Sequence, residues 1–176
     1  MNRMTHCART TSFNRRRGFT LIETAMAMVI IGVALAAVLQ LLASGTQSNI
    51  AGKEMSTALN LANNVREIAT SLAFQDPNNP TSPNTRGGST PPTAYNDIWD
   101  LNTGDYNPPL DCSAQQISSL SGWEQVVTVQ SVDPNNITAT RPNDPTVPTA
   151  RITVTVKYGG KYVYQASWVV CAPDAP

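Results

Sequence analysis

Between Phe19 and Ala43 the chain reads FTLIETAMAMVIIGVALAAVLQLLA, twenty-five residues carrying a single formal charge, Glu23. Few folded states accept such a run. A helix of roughly 20 apolar residues crosses a bilayer core of about 30 Å, so the segment is long enough to span. Helix is the predicted state because hydrocarbon offers the backbone no partner, whereas a helix bonds its own amides. Arg15, Arg16 and Arg17 immediately precede the run, and the twenty residues after it hold one basic side chain, Lys53. That asymmetry predicts a single pass through an inner membrane, with the N-terminus cytoplasmic. The remaining chain then lies across the membrane, in the periplasm or outside the cell.

A cleaved secretory signal peptide is the competing outcome, with a charged start, an apolar core of about 7–15 residues and a small-residue cut site. Ala43-Ser44-Gly45 offers such a site, but the apolar run is too long and an acid near its start serves no purpose there. Glu23 is the informative residue. An ionised carboxylate at lipid depth costs at least about 2–3 kcal/mol and usually marks function and a partner. A cut between Gly18 and Phe19 would create an ammonium group four residues from Glu23, about 6 Å along a helix. A Glu close enough to the interface to stay wet is the plainer alternative.

The string Arg15-Arg16-Arg17-Gly18-Phe19-Thr20-Leu21-Ile22-Glu23, set directly before a membrane span, resembles the processing motif of the type IV prepilin family. The resemblance covers residues 15–45 and is diffuse beyond residue 75. It implies a prepilin peptidase that cuts after Gly18 at the cytoplasmic face and N-methylation of the Phe19 amine. It also implies that Glu23 registers an incoming subunit by meeting a neighbour's N-terminal amine. The partners implied are the prepilin peptidase, other pilin or pseudopilin subunits, an inner-membrane assembly platform and membrane lipid. Gly18 suits the cut, because a residue without a side chain lets the backbone enter a protease cleft closely. Ala25, Ala27, Gly32, Ala34, Ala36 and Ala37 are small, and Gly32-xxx-Ala36 permits close approach of helix backbones. Many major pilins carry a helix-kinking proline where this chain has Gln40, which favours a minor pilin or a secretion pseudopilin.

Past the span the pattern changes. Met55, Leu59, Ala62, Val65, Ala69 and Leu72 recur at spacings of 3 and 4, which predicts an amphipathic helix over residues 46–74. Residues 75–92, with their prolines, Asn and Gly-Gly pair, are predicted loop. Asp97, Asp100, Asn102, Asp105 and Asp111 invite a calcium reading, and some pseudopilins bind calcium. The EF-hand pattern fails, however, with Gly104 at its fifth position and Asp111 at its twelfth. Turn-forming Asx side chains explain these residues more simply, so no metal is expected. Trp99 and Tyr106 are expected to seal this segment onto a sheet.

Gly122–Val132, Arg151–Tyr158 and Lys161–Cys171 read as strands. In the second, Ile152, Val154, Val156 and Tyr158 alternate with polar residues, and Gly159-Gly160 is a two-residue turn. Tyr162, Tyr164, Ala166, Trp168 and Val170 continue the alternation. The predicted fold class is therefore α+β and pilin-like: a long N-terminal helix, its second half packed on a three- or four-stranded antiparallel sheet. The expected division is a leader (1–18), a membrane and filament-core helix (19–45), the amphipathic helix (46–74), a loop region (75–121) and the sheet (122–176). Cys112 and Cys171, the pair left once Cys7 departs with the leader, are expected to form a disulfide, with free thiols as the alternative.

Charge and residue content narrow the function. Twelve basic side chains face twelve acidic ones, but Arg3, Arg9, Arg15, Arg16 and Arg17 sit in the first eighteen residues, which contain no acid. The rest is mildly acidic, so no nucleic-acid partner is expected. His6 is the sole histidine. Its loss with the leader removes any imidazole base, and no catalytic residue or cofactor is predicted. The expected function is a structural subunit of a type IV pilus or a type II secretion pseudopilus. The alternative is a membrane-anchored adhesin using Trp99, Trp123 and Trp168 as a ligand platform, although tryptophans in so small a head more commonly build core.

Overall fold

A computed structural model of the chain describes residues 18–79, 91–102, 104–142, 144 and 146–172. The leader through Arg17, with His6 and Cys7, lies outside them, as do residues 80–90 of the segment read as loop. Two units separate at Gln47/Ser48. The first begins, among the described residues, with the non-helical Gly18–Thr20 and then the start of helix α1 (Leu21–Ser71). Gly45 is helical.

The second unit, Ser48–Pro176, holds the rest of α1 and a five-stranded antiparallel sheet. Its strands are β1 (Gly104–Tyr106), β2 (Trp123–Asp133), β3 (Asn136–Thr140), β4 (Thr149–Tyr158) and β5 (Lys161–Cys171). The order is β1-β2-β4-β5, with β3 also paired to β2. The two strands absent from the sequence reading are the short ones, a three-residue GDY and the hairpin return NITAT, too brief to show a period.

β2 alternates from Trp123 to Gln130 and β4 from Ala150 to Lys157; where these strands adjoin at one end, Ser131 and Val132 of β2 and Thr149 and Ala150 of β4 are buried in succession. Trp123, Gln125, Val127 and Val129 of β2 and Ala150, Ile152, Val154 and Val156 of β4 are buried, while the intervening residues face outward. Gly159 and Gly160 take φ of +56° and +75° and close the β4–β5 hairpin, the left-handed pair that a type I′ turn requires. Lys157 pairs with Tyr162 but Val156 with Tyr164, so Val163 is an extra residue and the phase of β5 changes there. Tyr164, Ala166, Trp168 and Val170 therefore pack on the core, and Tyr162, expected beside them, is 65% exposed.

The buried face of α1 consists of Ala58, Leu61, Ala62, Val65, Ile68 and Ala69. Ala62, Val65 and Ala69 were legible in the spacing. Met55 and Leu59, also expected inside, remain 46% and 43% exposed. At 100° per residue Leu59 falls about 120° from the centre of the buried face and Met55 about 80°, whereas Leu61 and Ile68 fall within about 60°.

The segment before β2 is held by side chains. Trp99 and Tyr106 are buried as expected, and Trp99 Nε1 donates to the Phe74 carbonyl at 2.9 Å. Gln125 is completely buried. Its Oε1 accepts the Leu110 N–H at 2.7 Å, and its Nε2 donates to the carbonyls of Leu61 (2.8 Å) and Leu110 (3.2 Å). One amide thus ties helix, loop and sheet together.

Candidate functional site

The helix start is set by the backbone. The Thr20 carbonyl accepts the N–H groups of Glu23 (3.0 Å) and Thr24 (3.2 Å), which makes Leu21 the first helical residue. Gly18, Phe19 and Thr20 precede it and are exposed. The Gly18–Phe19 bond therefore lies in non-helical backbone, where a protease can take hold of it. A Cβ at Gly18 would meet nothing within 4 Å, so this chain itself does not require glycine there.

Glu23 sits in the first turn of α1, exposed, and its carboxylate makes no hydrogen bond or ion pair with another described residue. An acid at this position meets the positive end of the helix dipole. That is a local role the sequence reading missed, although Thr20-Leu21-Ile22-Glu23 has the S/T-x-x-E spacing of a helix start. Because Phe19 and Thr20 are not helical, an amine on Phe19 would lie roughly 6–10 Å along the chain axis from Glu23, rather than the 6 Å of an unbroken helix.

Every residue from Gly18 to Lys53 is exposed. Leu21, Ile22, Met28, Val29, Ile30, Ile31, Val33, Leu35, Leu39, Leu41 and Leu42 are each 59–88% accessible. An apolar helix so exposed among the described residues fits a membrane anchor. The hydroxyls it carries are satisfied locally: Thr24 Oγ1 donates to the Leu21 carbonyl (2.9 Å) and Ser44 Oγ to the Leu41 carbonyl (3.2 Å). Both can enter hydrocarbon without an orphaned donor.

The head residues singled out from the sequence separate. Asp97 Oδ1 accepts the Trp99 and Asp100 N–H groups, and Asp111 Oδ1 accepts those of Ser113 and Gln115. Both are turn-forming Asx residues. Burial pushes the Asp97 carboxyl above its ordinary pKa, partly offset by the Trp99 N–H. Asp105 is also raised, by burial and by neighbouring Glu124, while the Lys157 ammonium, 2.7 Å from Glu124, holds Glu124 low. Cys112 and Cys171 are exposed and unbridged. Trp99 and Trp123 belong to the core, the latter against Tyr158 with ring centroids 4.7 Å apart. Trp168 is partly buried, beside a groove of about 520 Å³ between α1 and β5.

The first unit thus defines a class, a chain with an exposed apolar N-terminal helix preceded by an accessible non-helical junction. Residues 13–39 match the family model described as the prokaryotic N-terminal methylation motif, the type IV prepilin-like signature. The long apolar helix with an antiparallel five-stranded sheet is an α+β layout consistent with the pilin-like fold. No curated protein and no solved structure matches the chain.

Proposed function

We propose that the chain is a structural subunit of a type IV pilin-like filament, in the role of a minor pilin or a type II secretion pseudopilin. It enters the inner membrane through α1 with the N-terminus cytoplasmic and the head periplasmic. The prepilin peptidase cuts after Gly18, and the new Phe19 amine is methylated. The subunit then joins its neighbours through the apolar helix, delivered by the inner-membrane assembly platform. One observation supports this reading: the methylation motif runs into a helix whose residues 21–53 are all exposed and, over its first half, largely apolar. In the filament Glu23 meets the Phe19 amine of an adjacent subunit, since the non-helical Phe19–Thr20 step leaves the amine of its own chain loosely placed. The head faces an oxidising compartment.

Co-expression with and without a prepilin peptidase tests the reading. Intact mass should move from the full precursor to a chain beginning at Phe19, and by a further ~14 Da when a methyl group replaces one amine hydrogen. A chain that still begins at Met1 when the peptidase is active, or that begins beyond Gly45, would overturn it.

A further inference from the structure

β5 ends the sheet, and among the described residues no strand pairs with its outer edge. Exposed edges are usually guarded by lysine, proline, a bulge or an inward charge, because open backbone groups recruit other strands. From Tyr164 to Cys171 β5 reads YQASWVVC, with no charge and no proline, and its one bulge lies behind, at the hairpin end. Eight residues of edge are left unguarded.

The groove beside this edge matches it. Five consecutive residues, Tyr164–Trp168, form one wall, so the backbone of β5 as well as its side chains lines the space. Ala62, Asn63 and Arg66 of α1 form the other wall. Arg66 is exposed, and among the described residues it has no acidic partner and no Asp or Glu lines the groove. Trp168 Nε1 is buried with no acceptor. The exposed Leu59 lies one turn before Asn63 on the same flank of the helix.

We propose that this groove takes an extended acidic polypeptide segment, which adds to β5 as a further strand and sets a carboxylate against Arg66. Strand addition uses the unpaired amides and carbonyls of the edge for affinity and alternate side chains for specificity. A carboxylate on a guanidinium forms a paired, charge-assisted contact that fixes the register. An acidic saccharide would satisfy Arg66 and stack on Trp168 or Tyr164, but it would leave the backbone edge unused. The inference concerns the head alone and holds whichever machine, if any, the anchor serves.

The test uses ¹⁵N-labelled full-length protein in detergent micelles. The probe is a blocked peptide, Thr-Val-Thr-Glu-Thr-Val-Thr, with a matched peptide carrying Lys in place of Glu and an oligogalacturonate as the acidic saccharide. The Glu peptide is expected to shift the Trp168 indole resonance and to slow hydrogen exchange of the amides of residues 164–168. Arg66→Glu, an exposed substitution whose fold is checked by melting, should weaken the Glu peptide at least tenfold and turn the preference to the Lys peptide. Equal binding of the two peptides overturns the proposal. So does the absence of binding at millimolar peptide, and so does binding of the oligogalacturonate in preference to the Glu peptide without slowed exchange at residues 164–168.

Discussion

Gln125 gives the sharpest test of how the head is held together. Gln125→Met keeps the side-chain volume and removes three hydrogen bonds, but these are unequal. The Leu61 carbonyl keeps its helical bond from the Val65 N–H, four residues on. The Leu110 carbonyl keeps Asn64 Nδ2 at 3.1 Å. Only the Leu110 N–H, whose acceptor at 2.7 Å is Gln125 Oε1, is left buried without a partner. One orphaned buried donor costs about 1–3 kcal/mol, well below the sum suggested by three bonds. For a unit of this size about 1 kcal/mol moves Tm by roughly 4 °C, so a fall of about 4–12 °C is expected. Trp99, Trp123 and Trp168 all lie in the second unit, so tryptophan fluorescence of the full-length protein in detergent follows that unit alone. Gln125→Glu adds a sign. Its carboxyl would accept from Leu110 N–H but face two carbonyl oxygens, so the folded state favours the protonated acid and raises its pKa above the unfolded value of about 4.3. The deficit relative to wild type should be small near pH 4 and grow as pH rises through the raised value. A Gln125→Met protein melting within 2 °C of wild type, or a Gln125→Glu deficit independent of pH, would refute the reasoning.

Other outcomes follow from the same geometry. Gly18→Val should leave an unprocessed precursor on an immunoblot when the peptidase is present, although the chain itself has room for the side chain. Glu23→Ala should be processed and membrane-bound yet depleted at least tenfold from sheared filaments. Asp97→Asn keeps the acceptor for Trp99 and Asp100 N–H while removing a carboxylate whose pKa burial raises. Wild type loses stability as pH rises from about 4 through that raised value, so the variant should show a flatter profile and melt at or above wild type at pH 7, whereas Asp97→Ala should fall by about 1 kcal/mol.

Much of the head was legible because its strands obey a period of two and its hairpin carries Gly-Gly. The period failed where one residue was added: Val163 shifts β5, and Tyr162 leaves the apolar face on which alternation alone had placed it. Gln125 was hidden for the opposite reason. It occupies an inward position of β2, where a polar residue reads as noise until its three backbone partners are seen. The stripe on α1 was misplaced by choosing Leu59 over Leu61, two leucines whose exposure depends on where the sheet lies. The N-terminal motif was legible as a string, since the match over residues 13–39 rests on the order of residues and not on contacts within this chain.

Insertion and assembly make separate demands on Glu23, and the magnitudes divide them. The run from Phe19 to Ala43 contains twelve Leu, Ile, Val and Phe residues. At about −0.3 to −0.6 kcal/mol each near a helix centre they favour the membrane by roughly 4–7 kcal/mol. An acid at the centre would oppose this by about 2.5–3.5 kcal/mol, and Glu23, third in the helix, lies near its end, where the penalty is smaller. The anchor therefore inserts with or without a partner for its carboxylate, and Glu23→Ala should strengthen insertion slightly. A defect of that variant confined to filaments, with membrane content unchanged, assigns the acid to contacts between subunits. Equal loss from membrane and filament would place it in the helix start instead, through Thr20 and the first turn.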